Sequence, residues 1–244
     1  MSFFTQFKQK LKNRAFGWFD HALWTSFSLR RPYDYERFAY AIAAKEAAEF
    51  FSQHMSAASN LRSKGELLKF ALKQVELTGL WLEFGVYQGA DISLIAQDAP
   101  GPVYGFDSFE GLPEDWTFFQ KKGRFSLGGN LPGGLPANVE LIKGWFDATL
   151  PGFLEAHLQG VAFLHIDSDL YSSAKTVLAL LADRLIPGTV IVFDDFLNYP
   201  GWKEGEAKAF FEYVEANSMR YRFIGFSSQD HSVAIKIEAC PWAA

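Results

Sequence analysis

Two pairs of carboxylates carry the clearest chemistry in this chain. FLHIDSDLY sets Asp167 and Asp169 just beyond the apolar run 161–166, and VIVFDDF sets Asp194 and Asp195 just beyond the run 188–193. Short apolar runs bounded by turn residues read as buried parallel strands. As neighbours about 4.8 Å apart, two such strands crowd four acids onto one rim. Like charges at that spacing repel unless a proton or a cation lies between them, and oxygen donors select a hard ion such as Mg²⁺. Either pair alone also reads as solvated strand ends; their coincidence points to a metal.

A second group lies upstream in WLEFGVYQG, where Glu83 precedes a turn containing Gly85 and Gly89. Gly85 lets the backbone approach a ligand closely, and Gly89 lets the next helix start tight against the strand. The turn lacks the three glycines of a dinucleotide fingerprint, and Glu83 would repel a pyrophosphate, so a cationic ligand suits it better. A glutamate at a strand end also reads as a solvated cap. The next strand, VYGF, ends at Asp107 and Ser108, where an acid is positioned to accept hydrogen bonds from ribose hydroxyls. After a third strand, KGWFDATLP offers Trp145 and Phe146 either to flank an adenine ring or to fill the core.

These residues need a scaffold that brings strand ends together. From Leu80 the sequence alternates apolar runs at 80–84, 103–106, 139–143, 161–166 and 188–193 with helical stretches at about 89–97, 147–158, 172–185 and 204–217. That alternation is the signature of an α/β doubly wound sheet, whose ligands bind beyond the carboxyl ends of the strands. YRFIGF and SVAIKI, split by SSQDH, read as a closing antiparallel hairpin, so a mostly parallel seven-stranded sheet is expected. Before residue 80 the chain reads as helical throughout, with helices over 36–57 and 61–78, the second capped by Ser59-Asn60. The expected division is a helical lid or oligomerisation region over 1–79 and a catalytic domain over 80–244. Phe4, Phe7 and Leu11, then Phe16, Phe19, Leu23 and Phe27, form an apolar stripe that suits the chain's own core, a second subunit or a membrane surface.

Residues 107–138 break the rhythm, with six glycines and three prolines beside Phe109, Leu112, Trp116, Phe118, Phe119 and Phe125. A loop this long in a compact domain is usually functional, and its aromatic content favours a cover over a ligand. Composition narrows the partners. A net charge of −5 and a pI near 5.6 give no footprint for nucleic acid. The lone Cys240 excludes an internal disulfide, and the basic residues breaking up the N-terminus leave neither a signal-peptide core nor a transmembrane length. A cytoplasmic setting is expected.

Taken together, EFGVYQG, VYGFDSFEGLP, KGWFDATLP, LHIDSDLYSSAKTVL and VIVFDDF closely resemble, in order and spacing, the macrocin O-methyltransferase family over about residues 80–237. The resemblance implies a class I fold, S-adenosylmethionine as methyl donor, Mg²⁺, and a small-molecule hydroxyl acceptor such as a sugar or natural-product glycoside. It also implies roles: Glu83, Gly85 and Gly89 around the methionine end, Asp107 and Ser108 at the ribose, and Gly144, Trp145 and Phe146 on the adenine side. Asp167, Asp194 and Asp195 would ligate the metal, with Asp169 as general base. The chain departs from the family pattern at Gln88, where an arginine is common, and at Gly89-Ala90, where a glycine pair is common. Two alternatives stand beside this reading: a D-x-D metal-dependent glycosyltransferase, which leaves Glu83 and the second aspartate pair unexplained, and a non-catalytic binding protein on the same fold.

Overall fold

The computed structural model of the 244-residue chain describes residues 22, 34–117 and 120–242. The apolar stripe expected from Phe4 to Phe27 lies outside the described residues, as do Phe118 and Phe119. The chain divides into two units, 1–42 and 43–244, and the sheet belongs to the second.

In chain order the elements are α1 (Tyr35–His54), β1 (Ser59–Leu61), α2 (Lys64–Leu72), β2 (Leu80–Phe84), α3 (Ala90–Asp98), β3 (Val103–Asp107), β4 (Val139–Lys143), α4 (Phe146–Ala156), β5 (Val161–Ile166), α5 (Tyr171–Leu180), β6 (Val190–Phe193), α6 (Glu206–Ala216), β7 (Arg220–Ser227) and β8 (Val233–Ala239). Short 3₁₀ turns at Ala182–Arg184 and Trp202–Glu204 extend α5 and precede α6. The sheet order is β1-β7-β8-β6-β5-β2-β3-β4; β8 is antiparallel to both β6 and β7, and the remaining pairs are parallel.

Two expectations are corrected here. The sheet has eight strands rather than seven, because Ser59–Leu61 pairs with the outer edge of β7 from Ser59↔Gly225 to Leu61↔Ser227. Hence the segment before residue 80 is not helical throughout. Ser59-Asn60 caps no helix; the start signal that operates is Ser63 with Glu66. The Ser63 hydroxyl accepts the Glu66 amide at 3.2 Å, and the Glu66 carboxylate accepts the Arg62 amide at 3.0 Å, a reciprocal capping arrangement.

From β2 the chain proceeds to β3 and β4 on one side, then returns to β5 on the other. The strand order therefore reverses between β2 and β5, the point at which a doubly wound sheet opens a crevice. Side chains alternate across the sheet with period two. Leu82, Phe84, Leu164, Ile166, Ile191 and Phe193 enter one core cluster, with residues of α5 and α6. Trp81, Phe163, Val190 and Val192 enter the other, with α2 and α3. That alternation also sorts the acids at the strand ends.

Candidate active site

The glycine turn after β2 is held by Asp107. Its Oδ2 accepts the amides of Val86 and Tyr87 at 2.9 and 2.8 Å, and its Oδ1 accepts that of Phe109 at 2.7 Å. The acid expected at the ribose thus also pins the turn that would face the methionine end. Gly85, at φ 92°, lies so close to β5 that a Cβ would strike the carbonyl of Asp167; only glycine allows both that φ and that approach. Gly89 caps α3 at φ 82° against Leu135, and the Gly144 amide donates to the Asp107 carbonyl at 2.9 Å. Ser108 is buried and accepts the Glu110 amide at 3.1 Å. Trp145 stands 41% exposed before α4, while Phe146 meets Phe84 edge-on at 5.2 Å.

A cavity of about 760 Å³ opens at the switch point, within the range of small-molecule sites. Gly85, Asp107, Ser108, Trp145 and Phe146 line one side, and Asp167, Asp169, Asp194 and Asp195 another. Glu83, Gly89 and Gly144 are not among the lining residues. The loop after β3 supplies a wall through Leu112, Trp116 and Phe125. Its described residues form no helix or strand but are tied down internally: the Leu112 amide donates to the Arg124 carbonyl, the Gly123 amide donates to the Leu112 carbonyl, and Phe109 is fully buried.

Glu83 is only 1% exposed, and its Oε1 meets His165 Nδ1 at 2.9 Å. Both residues fall on the α2/α3 side of the sheet by strand alternation, in register at Glu83↔His165. The outer atoms of the pair, Glu83 Oε2 and His165 Nε2, have no hydrogen-bond partner. Burial pushes the Glu83 carboxyl up to about 7 against the opposing pull of His165. Burial opposes charge on His165, but the hydrogen bond and charge of Glu83 outweigh it, so its pKa lies above the ordinary imidazole value.

The four rim acids divide into two groups. Asp167 and Asp194 lie on the same side as His165, and these three residues offer ligand atoms within 4.8 Å of one another, the one such group among the described residues. Into them reaches Lys64, the first residue of α2, whose Nζ lies 2.9 Å from Asp167, 2.8 Å from Asp194 and 2.9 Å from Asp91. Burial and the Asp167 charge push the Asp194 carboxyl up to about 7 in spite of that lysine. Asp195, one residue along, lines the same cavity but turns its Oδ1 to His231 Nδ1 at 3.2 Å. Asp169, at φ 62°, donates a hydrogen bond toward Asp195; burial, then the charges of Asp195, Asp167 and Asp194, push its pKa up to about 9.

Beneath this second group lies Glu206, fully buried at the start of α6. Its Oε1 accepts the Ser168 amide at 3.1 Å, and its Oε2 accepts the Asp195 amide at 3.2 Å. One carboxylate therefore fixes the loop after β5 to the loop after β6. Lys64, Asp91, His165, Glu206 and His231 were not singled out in the sequence. Lys64 and Glu206 carried only a faint signal, a cation and an acid within the first turn of the helices expected over 61–78 and 204–217; His231 sits in a hairpin turn, and nothing local marks it.

Residues 82–196 match a family model described as a methyltransferase domain. A curated relative, the 8-demethyl-8-(2,3-dimethoxy-alpha-L-rhamnosyl)-tetracenomycin-C 4'-O-methyltransferase of Streptomyces olivaceus, is 29% identical over 138 residues, which is 47% of this chain and 52% of the relative. The chain thus matches about half the length of that relative. Among solved structures, the calicheamicin methyltransferase CalS11 aligns with a TM-score of 0.55 and 23% identity over 69% of this chain and 76% of its own. The O-methyltransferase NovP aligns with a TM-score of 0.54 and 20% identity over 84% and 98%. At those identities the two structures speak for the fold, which agrees with the doubly wound, mostly parallel sheet and its closing hairpin. The matched span opens in β2 and closes just past Asp195, so the part of the chain that is similar to a methyltransferase domain encloses the glycine turn and both aspartate pairs.

Proposed function

We propose that the chain is an S-adenosylmethionine-dependent O-methyltransferase acting on a hydroxyl of a small molecule, a sugar or natural-product glycoside, with Mg²⁺ at the acidic rim. The observation that carries this reading is one cavity with two unlike walls: an amide-pinned glycine turn with Asp107, Ser108 and Trp145, facing strand ends tipped with aspartates. Glycosyl transfer through the D-x-D acids leaves the first wall without a role.

On this reading the Gly85 turn brings backbone against the methionine end of the donor, with Glu83 and Gly89 shaping it from behind. Asp107 keeps lone pairs beyond its three amide contacts for the ribose hydroxyls, Ser108 lies beside them, and Gly144, Trp145 and Phe146 form the adenine side. The donor set fits a hard divalent cation, because the carboxylates of Asp167 and Asp194 already converge on the positive charge of Lys64. Those two residues, with Asp195 alongside, would hold the ion. When bound it supplies Lewis acidity, lowering the pKa of an acceptor hydroxyl. Asp169 takes the proton released there. Because its own carboxyl stays protonated up to about 9, it does so only where positive charge at the rim offsets its acidic neighbours. His231 lines the same cavity, held by Asp195, and is the second acceptor within the site. Burial opposes its charge, but Asp195 raises its pKa overall.

The test is twofold. S-adenosylhomocysteine should raise the melting temperature by mass action while NAD leaves it unchanged. Incubation with S-adenosylmethionine and a panel of sugars, glycosides and phenols should yield S-adenosylhomocysteine stoichiometrically with one methylated acceptor, read by mass spectrometry. Stabilisation by NAD with none by the methionine-derived pair defeats the reading.

A further inference from the structure

Lys64 is an improbable residue at its position. It opens α2, where the positive end of the helix dipole disfavours a cation. Its side chain is only 25% exposed, and an ammonium taken out of water needs compensation. The compensation is complete: three N–H donors meet three carboxylates, Asp91 at 2.9 Å, Asp167 at 2.9 Å and Asp194 at 2.8 Å. A lysine ammonium is a compact point charge with three donors, the side chain closest to a bare cation in its demands. Behind it His165 Nε2 is buried without a partner, on a ring offering a ligand atom within 4.8 Å of the Asp167 and Asp194 oxygens. Lys64 lies before the matched methyltransferase span, so it is supplied by the helical segment that precedes that span.

We propose that Lys64 is a tethered counter-cation, occupying the position between Asp167 and Asp194 in place of a divalent ion, so that lysine and metal are mutually exclusive. The inference rests on the reading that this rim takes a divalent cation. It gives the first helix of the sheet-bearing unit after β1 a stated job: it keeps the rim neutralised and assembled while no metal is present, and it yields when one arrives. Asp91, in the first turn of α3, is the carboxylate left to receive the displaced ammonium, since it contacts Lys64 but is not part of the three-residue ligand group.

The experiment titrates Mn²⁺ and Mg²⁺ by calorimetry into the full chain and its Lys64→Met variant, which keeps the apolar stem and loses the charge. Lys64 in the wild type is also labelled with acetic anhydride, with and without saturating Mn²⁺, and read by peptide mass spectrometry. The expected result is Mn²⁺ affinity higher in the variant by about tenfold or more, the wild type having its ion pairs to Asp167 and Asp194 to break, with labelling of Lys64 rising when Mn²⁺ binds. Binding by the variant alone supports the proposal equally. Equal affinities with unchanged labelling overturn it while leaving the cation reading intact. Absence of binding in both chains overturns it together with that reading. If Lys64→Met fails to fold, labelling of the wild type decides alone, and a Lys64 that labels identically with and without Mn²⁺ refutes exclusion.

Discussion

On the proposed function, Asp169 and His231 are the two candidates for proton acceptor at the rim, and a pair of substitutions separates them. Asp169→Asn keeps shape and removes a proton acceptor; if Asp169 is the base, kcat should fall by about 10²–10⁴-fold, with Mg²⁺ binding nearly unchanged in calorimetric titration. His231→Gln should then cost far less, and the reverse order in single-turnover methyl transfer assigns the proton to the imidazole. Asp194→Ala is expected to behave differently from both, weakening Mg²⁺ binding because it removes a converging oxygen from the metal group. At Gly85 the expectation concerns the backbone. Alanine there must hold φ near 92° and collide with the Asp167 carbonyl, so Gly85→Ala should lose about 3 kcal/mol or more in urea unfolding.

The elements carry the acids to one place by different means. β5 and β6 end side by side because they pair in parallel from Phe163↔Val190 to Ile166↔Phe193, and α6 then locks the loops beyond them through Glu206. Glu206→Ala should leave the amides of Ser168 and Asp195 buried without acceptors, at a cost of about 2–4 kcal/mol, measured as a lowered urea midpoint. It should also lower kcat/KM more than the distance of Glu206 from the acceptor would imply, since both loops carry rim acids. Parallel strands with helical crossovers were legible as apolar runs and turns, and β2, β4 and β5 fall on the expected residues. The edge strand β1 was not, because three residues have no period to read and owe their conformation to the free edge of β7.

Over the whole molecule, the buried Glu83–His165 pair should make stability depend on pH. Both groups hold their proton more tightly folded than unfolded: Glu83 is raised from 4.5 to about 7, and His165 lies above 6.5. With folded pKa values raised, these two groups bind more protons in the native chain than in the unfolded chain across this window, so their contribution to stability is fully present below about pH 4.5 and is lost as pH rises through about 7. The urea midpoint should decline between pH 5.5 and 7.5, and Glu83→Gln, which keeps an acceptor for His165, should flatten that decline. An unchanged slope would place the titration elsewhere. No helix among the described residues is long and apolar enough to cross a membrane.

The sequence by itself determined the class of fold and the inventory of acids. Burial requires apolar runs, runs of a given length have a conformation, and the residues that end them must stand at a rim. It could not determine which acids face one another. Adjacent aspartates after a strand look equivalent on paper, yet period-two alternation sends Asp194 toward Lys64 and Asp195 toward His231. Nor did it mark Glu83 as buried: that depends on His165, a distant residue made its cross-strand neighbour only by pairing of β2 with β5. Lys64, Glu206 and His231 entered the site from α2, α6 and the β7–β8 turn, joined by contacts across 103, 38 and 36 residues of chain. Local pattern reports what a segment prefers; which charges share a cavity is set by long-range packing, and only the tertiary structure decided it.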